Sequence, residues 1–182
     1  MTELWRWQRN LPLPLFKKGD ILVFYLKEQP EDGARLEGWE PQAPKEIPDS
    51  RIAAFYCRFS AVDIPQEDSL LSGKHYRLQA DEKGGTYCAW DREQYRKTIR
   101  FTPDEAFMAA LQGWVTTHQI AKFNGYFARV SGLPDLYGAQ LEIRYATGQT
   151  IQASDNQDCF LPLKAMEDLE AIFLKNLNHK KG

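Results

Sequence analysis

Residues 153–160 read Ala-Ser-Asp-Asn-Gln-Asp-Cys-Phe, the densest group of reactive side chains in the chain. Within it lie two carboxylates (Asp155, Asp158), two amides (Asn156, Gln157), a hydroxyl (Ser154) and a thiol (Cys159). With Asp135, the carboxylates could share a divalent cation and activate a water, which is the chemistry of a small hydrolase. The calcium-loop pattern Asp-x-Asx-x-Asx-Gly is not met, because Gln157 stands third and no glycine stands sixth. Asp, Asn and Ser also bond to nearby backbone and shape turns. The stretch is therefore read first as the turn leaving a hairpin, with the carboxylate site as the alternative.

A nucleophilic Cys159 would need a histidine base in space. The three histidines are His75 in an expected strand, His118 near a helix end and His179 in the tail. His118 is more simply read as a side chain that offsets the helix dipole. No Gly-x-Ser-x-Gly elbow, phosphate loop or His-Glu-x-x-His pair occurs. Arg92, Arg96, Lys97 and Arg100 interleave with Tyr95, but Asp91 and Glu93 offset them, so a solvated strand edge is preferred to a nucleic-acid patch. No catalytic residue, metal ligand or cofactor is assigned.

The elements that would position these residues follow from periodicity. Residues 1–19 hold Trp5, Trp7 and Leu-Pro-Leu-Pro-Leu-Phe, which favours an extended path. The apolar run 21–26 reads as a strand covered on both faces. Residues 29–50 are rich in proline and acids and are expected to form a long loop with Trp39 in its middle. Over 51–62 the alternation turns Ala53, Phe55, Cys57 and Phe59 to one face, and Ala54, Tyr56 and Arg58 to the other. Residues 74–80 and 86–90 form a hairpin about a turn at 81–85, with Tyr76, Leu78 and Ala80 inward, and a short strand follows at 98–101.

The period then changes. Thr102 as N-cap, Pro103 at the first helical position and Glu105 three after the cap predict a helix. Its apolar stripe is Phe107, Met108, Leu111, Trp114 and Val115. A loop is expected after Phe123-Asn124-Gly125. Residues 139–154 form a second hairpin whose register can be argued. A three-residue turn, Ala146-Thr147-Gly148, places Ile151 opposite Ile143 and Ala153 opposite Leu141, so that the apolar residues share a face. Met166, Leu169, Ile172, Phe173 and Leu177 mark a last helix. The order predicts an α+β fold, an antiparallel sheet of about five to seven strands covered by two helices.

The chain has 182 residues, 43% of them apolar and 13% aromatic, with a net charge of −2. That composition suits one domain over 1–182, with 1–50 as an N-terminal extension, and argues against disorder. Cys57, Cys88 and Cys159 are odd in number and lack Cys-x-x-Cys spacing, which predicts reduced thiols. The N-terminus lacks a signal-peptide core, and no apolar run approaches the roughly 20 residues of a membrane span. A cytoplasmic location is expected, with no membrane partner.

From residue 101 onward the chain resembles a broad group of uncharacterised bacterial proteins. In them a helix is followed by a W/F-N-G-F/Y motif, an L-x-I-x-Y-x-x-G-x-x-I-x-A-S hairpin, and a proline before a terminal helix. The matching residues are Phe123, Asn124, Gly125 and Tyr126, then Leu141, Ile143, Tyr145, Gly148, Ile151, Ala153, Ser154 and Pro162. The chain departs from the group at 135–138, where Asp-Gly is usual, and at Asp155, where glycine is usual. The resemblance implies a fold and no activity. The expected function is a non-catalytic interaction or ligand-binding module with a protein or small-molecule partner. The binding candidates are Trp39, Asn124, Tyr126, Asp135, Asp155 and Asp158. The alternatives are the carboxylate hydrolase and a nucleic-acid binder.

Overall fold

A computed structural model describes residues 33–49, 51–91 and 96–178. The readings of Trp5, Trp7, residues 21–26, Arg92, Tyr95, the Arg96 side chain and His179 lie outside what it describes. Among the described residues, eight strands form one mixed sheet. In chain order they are β1 (Arg35–Trp39), β2 (Ile52–Ser60), β3 (Lys74–Asp81), β4 (Gly84–Asp91), β5 (Arg96–Phe101), β6 (Tyr126–Val130), β7 (Ala139–Tyr145) and β8 (Thr150–Asp155). Two α-helices among the described residues, α1 (Glu105–Thr117) and α2 (Leu163–Asn178), make the fold α+β. The spatial order is β1-β6-β8-β7-β2-β3-β4-β5. Every pairing is antiparallel except β6 with β8. The sheet thus has one strand more than the upper expectation. No described helix is long and apolar enough to cross a membrane.

The inward face follows the alternation. Phe55, Cys57, Phe59, Tyr76, Leu78, Leu141, Ile143 and Ile151 are all at most 2% exposed. Against them pack Phe107, Leu111, Trp114 and Val115 of α1, and Met166, Leu169 and Phe173 of α2. The Trp114 indole N–H donates to the Ala165 carbonyl at 2.7 Å, which ties the two helices without stranding a buried donor. The hairpin β7–β8 adopts the register of a three-residue turn, with Ile143 opposite Ile151 and Leu141 opposite Ala153. Gly148, at φ 87°, takes the left-handed position that this turn needs.

Four local expectations are corrected. The segment 29–50 is not a loop throughout, because Arg35–Trp39 is an edge strand on β6. A strand, β6, and not a loop, follows Gly125. Both strands are five residues long, and neither alternates clearly, so pairing rather than local propensity makes them. Ala53 is exposed and Ile52 is buried, because a register shift between Ile52 and Ala54 against β7 slips the side-chain phase by one. Finally, the N-cap of α1 is Asp104 and not Thr102. The Asp104 carboxylate accepts from the Phe107 N–H at 2.7 Å, and its charge also suits the positive end of the helix.

Candidate functional site

The group 153–160 leaves β8 at the β1 side of the sheet, and its polar atoms are turned onto the chain itself. Asp155, 2% exposed, receives the backbone N–H groups of Gln157 (2.9 Å) and Asp158 (3.0 Å) on Oδ1. On Oδ2 it receives the Arg35 guanidinium at 2.7 Å and the Tyr126 hydroxyl at 3.2 Å. Asn156 pairs with both backbone groups of Val130 and donates to Leu133, and Gln157 donates to the Pro134 carbonyl. Asp158 takes the second arm of Arg35 at 2.8 Å. These side chains tie β8 to β1, to β6 and to the loop at 131–138. Burial pushes the Asp155 carboxyl up, but the two N–H donors and Arg35 outweigh it and hold it below the usual carboxylate value. Burial and the Asp155 charge push the Tyr126 hydroxyl up to about 12.

Of the other candidates, Trp39 is 44% exposed and its ring lies 4.9 Å from that of Tyr126. Its other contact is the Lys45 ammonium, 4.2 Å from the ring centroid, so the chain supplies its own cation there. Asn124 is buried and joins three segments. Its amide donates to the Pro44 and Thr150 carbonyls and accepts from the Gln152 N–H. Gly125 follows at φ 77°, where a Cβ would meet that of Ala43 at 2.6 Å. The Asn-Gly pair is a structural joint. Asn124→Ala should lower stability by about 1–3 kcal/mol, because it leaves buried backbone partners unanswered. Chemical denaturation would measure this, and a change near zero would show that water replaces the amide.

Asp135 is set apart from that cluster. Its carbonyl accepts from Arg58, and Arg58 points to the face of the sheet opposite Asp155, since Asp155 pairs through Ala139 with Phe59. Among the described residues no group of three or more His, Cys, Asp or Glu side chains gathers to hold a metal. Cys159 lies 3.5 Å from the Met166 sulfur, and burial pushes its thiol up to about 11, opposite to what a nucleophile requires. His118 caps α1 and meets Asp168 of α2 at 3.1 Å.

Two of the buried polar groups without a hydrogen-bond partner lie on the other face of the sheet. Arg58 of β2 and Arg77 of β3 are directly opposite one another across the ladder. Like charges in that position repel. Neither forms an ion pair with a described carboxylate, and the Nε donor of each is buried without a hydrogen-bond partner. Around them stand aromatic rings. Arg77 lies 5.9 Å from the Trp90 ring centroid, Trp90 stacks on His75 at 5.4 Å, and Tyr137 approaches His75 at 6.2 Å. The loop at 131–138 rises beside the pair and is held there by the Arg58 bond to Asp135. Beside Tyr56, two residues along β2 from Arg58, lies a depression of about 210 Å³ bordered by Gln79, Asp81, Glu142 and Arg144.

Both helices pack on the opposite face. The alternation of β2 already turned Tyr56 and Arg58 outward. The cross-strand partner Arg77 could be found only once the β2–β3 register was known. Comparison of the chain with family models, with curated proteins and with solved structures finds no match.

Proposed function

We propose that the protein is a non-catalytic binding module that holds an anionic, phosphate-bearing ligand between Arg58 and Arg77. The observation that carries this reading is the facing pair of guanidinium groups, each with a buried Nε donor left without a partner. A buried donor without an acceptor lowers stability by about 1–3 kcal/mol, and opposed like charges add to that. A tetrahedral oxyanion supplies the missing acceptors and the missing charge together. The Arg35 cluster differs in every respect, since its guanidinium is already matched by Asp155, Asp158 and Glu37. The module reading keeps the non-catalytic function expected of the sequence but moves its site to other residues.

Thermal unfolding in inorganic pyrophosphate, at constant ionic strength, tests the reading. A ligand at a hundredfold excess over its dissociation constant stabilises the folded state by about 2.7 kcal/mol. The wild-type midpoint should rise with pyrophosphate, and Arg77→Gln and Arg58→Gln should each abolish the rise. Equal midpoint shifts in wild type and both variants would contradict the assignment.

A further inference from the structure

Resting on that reading, we infer that the ligand is a single-stranded nucleic acid, with a phosphate held by Arg58 and Arg77 and a base stacked on Tyr56. Three observations on the sheet face opposite the helices combine. The arginine pair fits one phosphodiester, which offers two unbridged oxygens to planar donors. Tyr56 stands on the same face, two residues from Arg58, which is about 7 Å along a strand. Beside it the depression presents an amide (Gln79), two carboxylates (Asp81, Glu142) and a guanidinium (Arg144). That set of donors and acceptors can pair with the edge of a base whose face lies on the tyrosine. On the other side of the pair, Trp90 and Tyr137 supply further ring surface for a neighbouring nucleotide.

The charge is local. The chain is acidic overall at −2, yet Arg58 and Arg77 share one ladder row on this face and Arg100 lies in the next same-face row, with Tyr56. Glu142, the acid nearest Tyr56 across the β2–β7 ladder, has Arg144 at 3.8 Å as its own counter-ion. A duplex keeps its bases stacked inside and cannot use the rings. The geometry therefore selects an unpaired strand over a double helix, and a base-bearing ligand over a bare polyanion.

Fluorescence anisotropy with the full chain and a labelled oligouridylate tests this, with a duplex of equal length and pyrophosphate as the comparison ligands. One stacked base is worth about 1–3 kcal/mol, about 5- to 150-fold in affinity. The single strand should bind at least about tenfold more tightly than the duplex. Tyr56→Leu, which keeps apolar volume on the strand, should weaken the oligonucleotide by a similar factor and leave pyrophosphate binding unchanged. Arg77→Gln should weaken both ligands and reduce the salt slope by about one. If pyrophosphate binds but duplex and single strand are equal, or Tyr56→Leu has no effect, the nucleic-acid inference is overturned and the anion site stands. If neither pyrophosphate nor oligonucleotide binds the wild type, both readings fail.

Discussion

Phe173→Ala should destabilise the protein by about 3–5 kcal/mol. Phe173 is fully buried on α2, and its ring lies 5.1 Å from Phe107 of α1, 5.7 Å from Phe101 of β5 and 6.1 Å from Phe55 of β2. It is thus where both helices and two distant strands of the sheet meet. Truncation removes the transfer free energy of the ring and leaves a cavity that several elements would have to move together to close. Urea unfolding is the measurement, with Ile172→Ala as the comparison, since Ile172 is only half-buried on the same helix. The Phe173 loss should be the larger of the two. A loss below about 1 kcal/mol would mean that α2 does not dock through this ring.

Arg35→Ala should lower stability by a similar amount, for a different reason. Asp155 has 1% of its side chain exposed and Arg35 33%, so removal of the guanidinium leaves a buried carboxylate with only its two backbone donors and Tyr126. Breaking a buried ion pair by removing one partner lowers stability by about 3–5 kcal/mol, and solvent at the arginine places this pair toward the lower end. The pH dependence gives a second readout. The folded-state pKa of Asp155 lies below its unfolded value, so its contribution is present above the unfolded pKa of about 3.9 and is lost as pH falls through the folded one. Wild type should therefore lose stability on acidification below about pH 4, and Arg35→Ala should lose less over the same range. Identical acid dependence in the two proteins would show that Arg35 does not hold the carboxylate ionised.

Where hydrophobic phase alone decides structure, the sequence was a sufficient guide. The inward sets of β2, β3, β7 and β8, the stripes of both helices and the turn at Gly148 could all be read from spacing, because a one-residue slip would have buried polar side chains. The β-bulge at Ile52 escaped because the extra residue is specified by the partner strand and not by the local pattern. Strands β1 and β6 escaped for a related reason. Arg-Leu-Glu-Gly-Trp carries a glycine and an acid, and Tyr-Phe-Ala-Arg-Val has no clear polar alternation, so pairing with each other, pairing of β6 with β8, and the ties through Arg35 and Asn156 make them strands.

The same limit governed the site. Dense polar residues drew the reading to 153–160, where Asp155, Asn156 and Gln157 are bonded to the backbone and to Arg35. Tyr126, Asp155 and Asp158 do meet there, with Trp39 against Tyr126, while Asn124 serves a joint and Asp135 lies by Arg58. A functional group is better recognised by what fails to answer it. Arg58 and Arg77 are separated by 19 positions in the chain and face one another only through the β2–β3 ladder. No spacing rule links them.

The central claim is that these two arginines await an anion, and the most direct measurement of it is the nuclear magnetic resonance of the arginine Nε–H groups. Spectra of the full chain are recorded during titration with pyrophosphate. The Nε–H signals of Arg58 and Arg77, now without acceptors, should shift saturably as the ligand is added. The signal of Arg35, already bonded to Glu37 at 3.3 Å, should stay where it is. Saturable shifts at Arg35 or elsewhere, with Arg58 and Arg77 unmoved, would contradict the account.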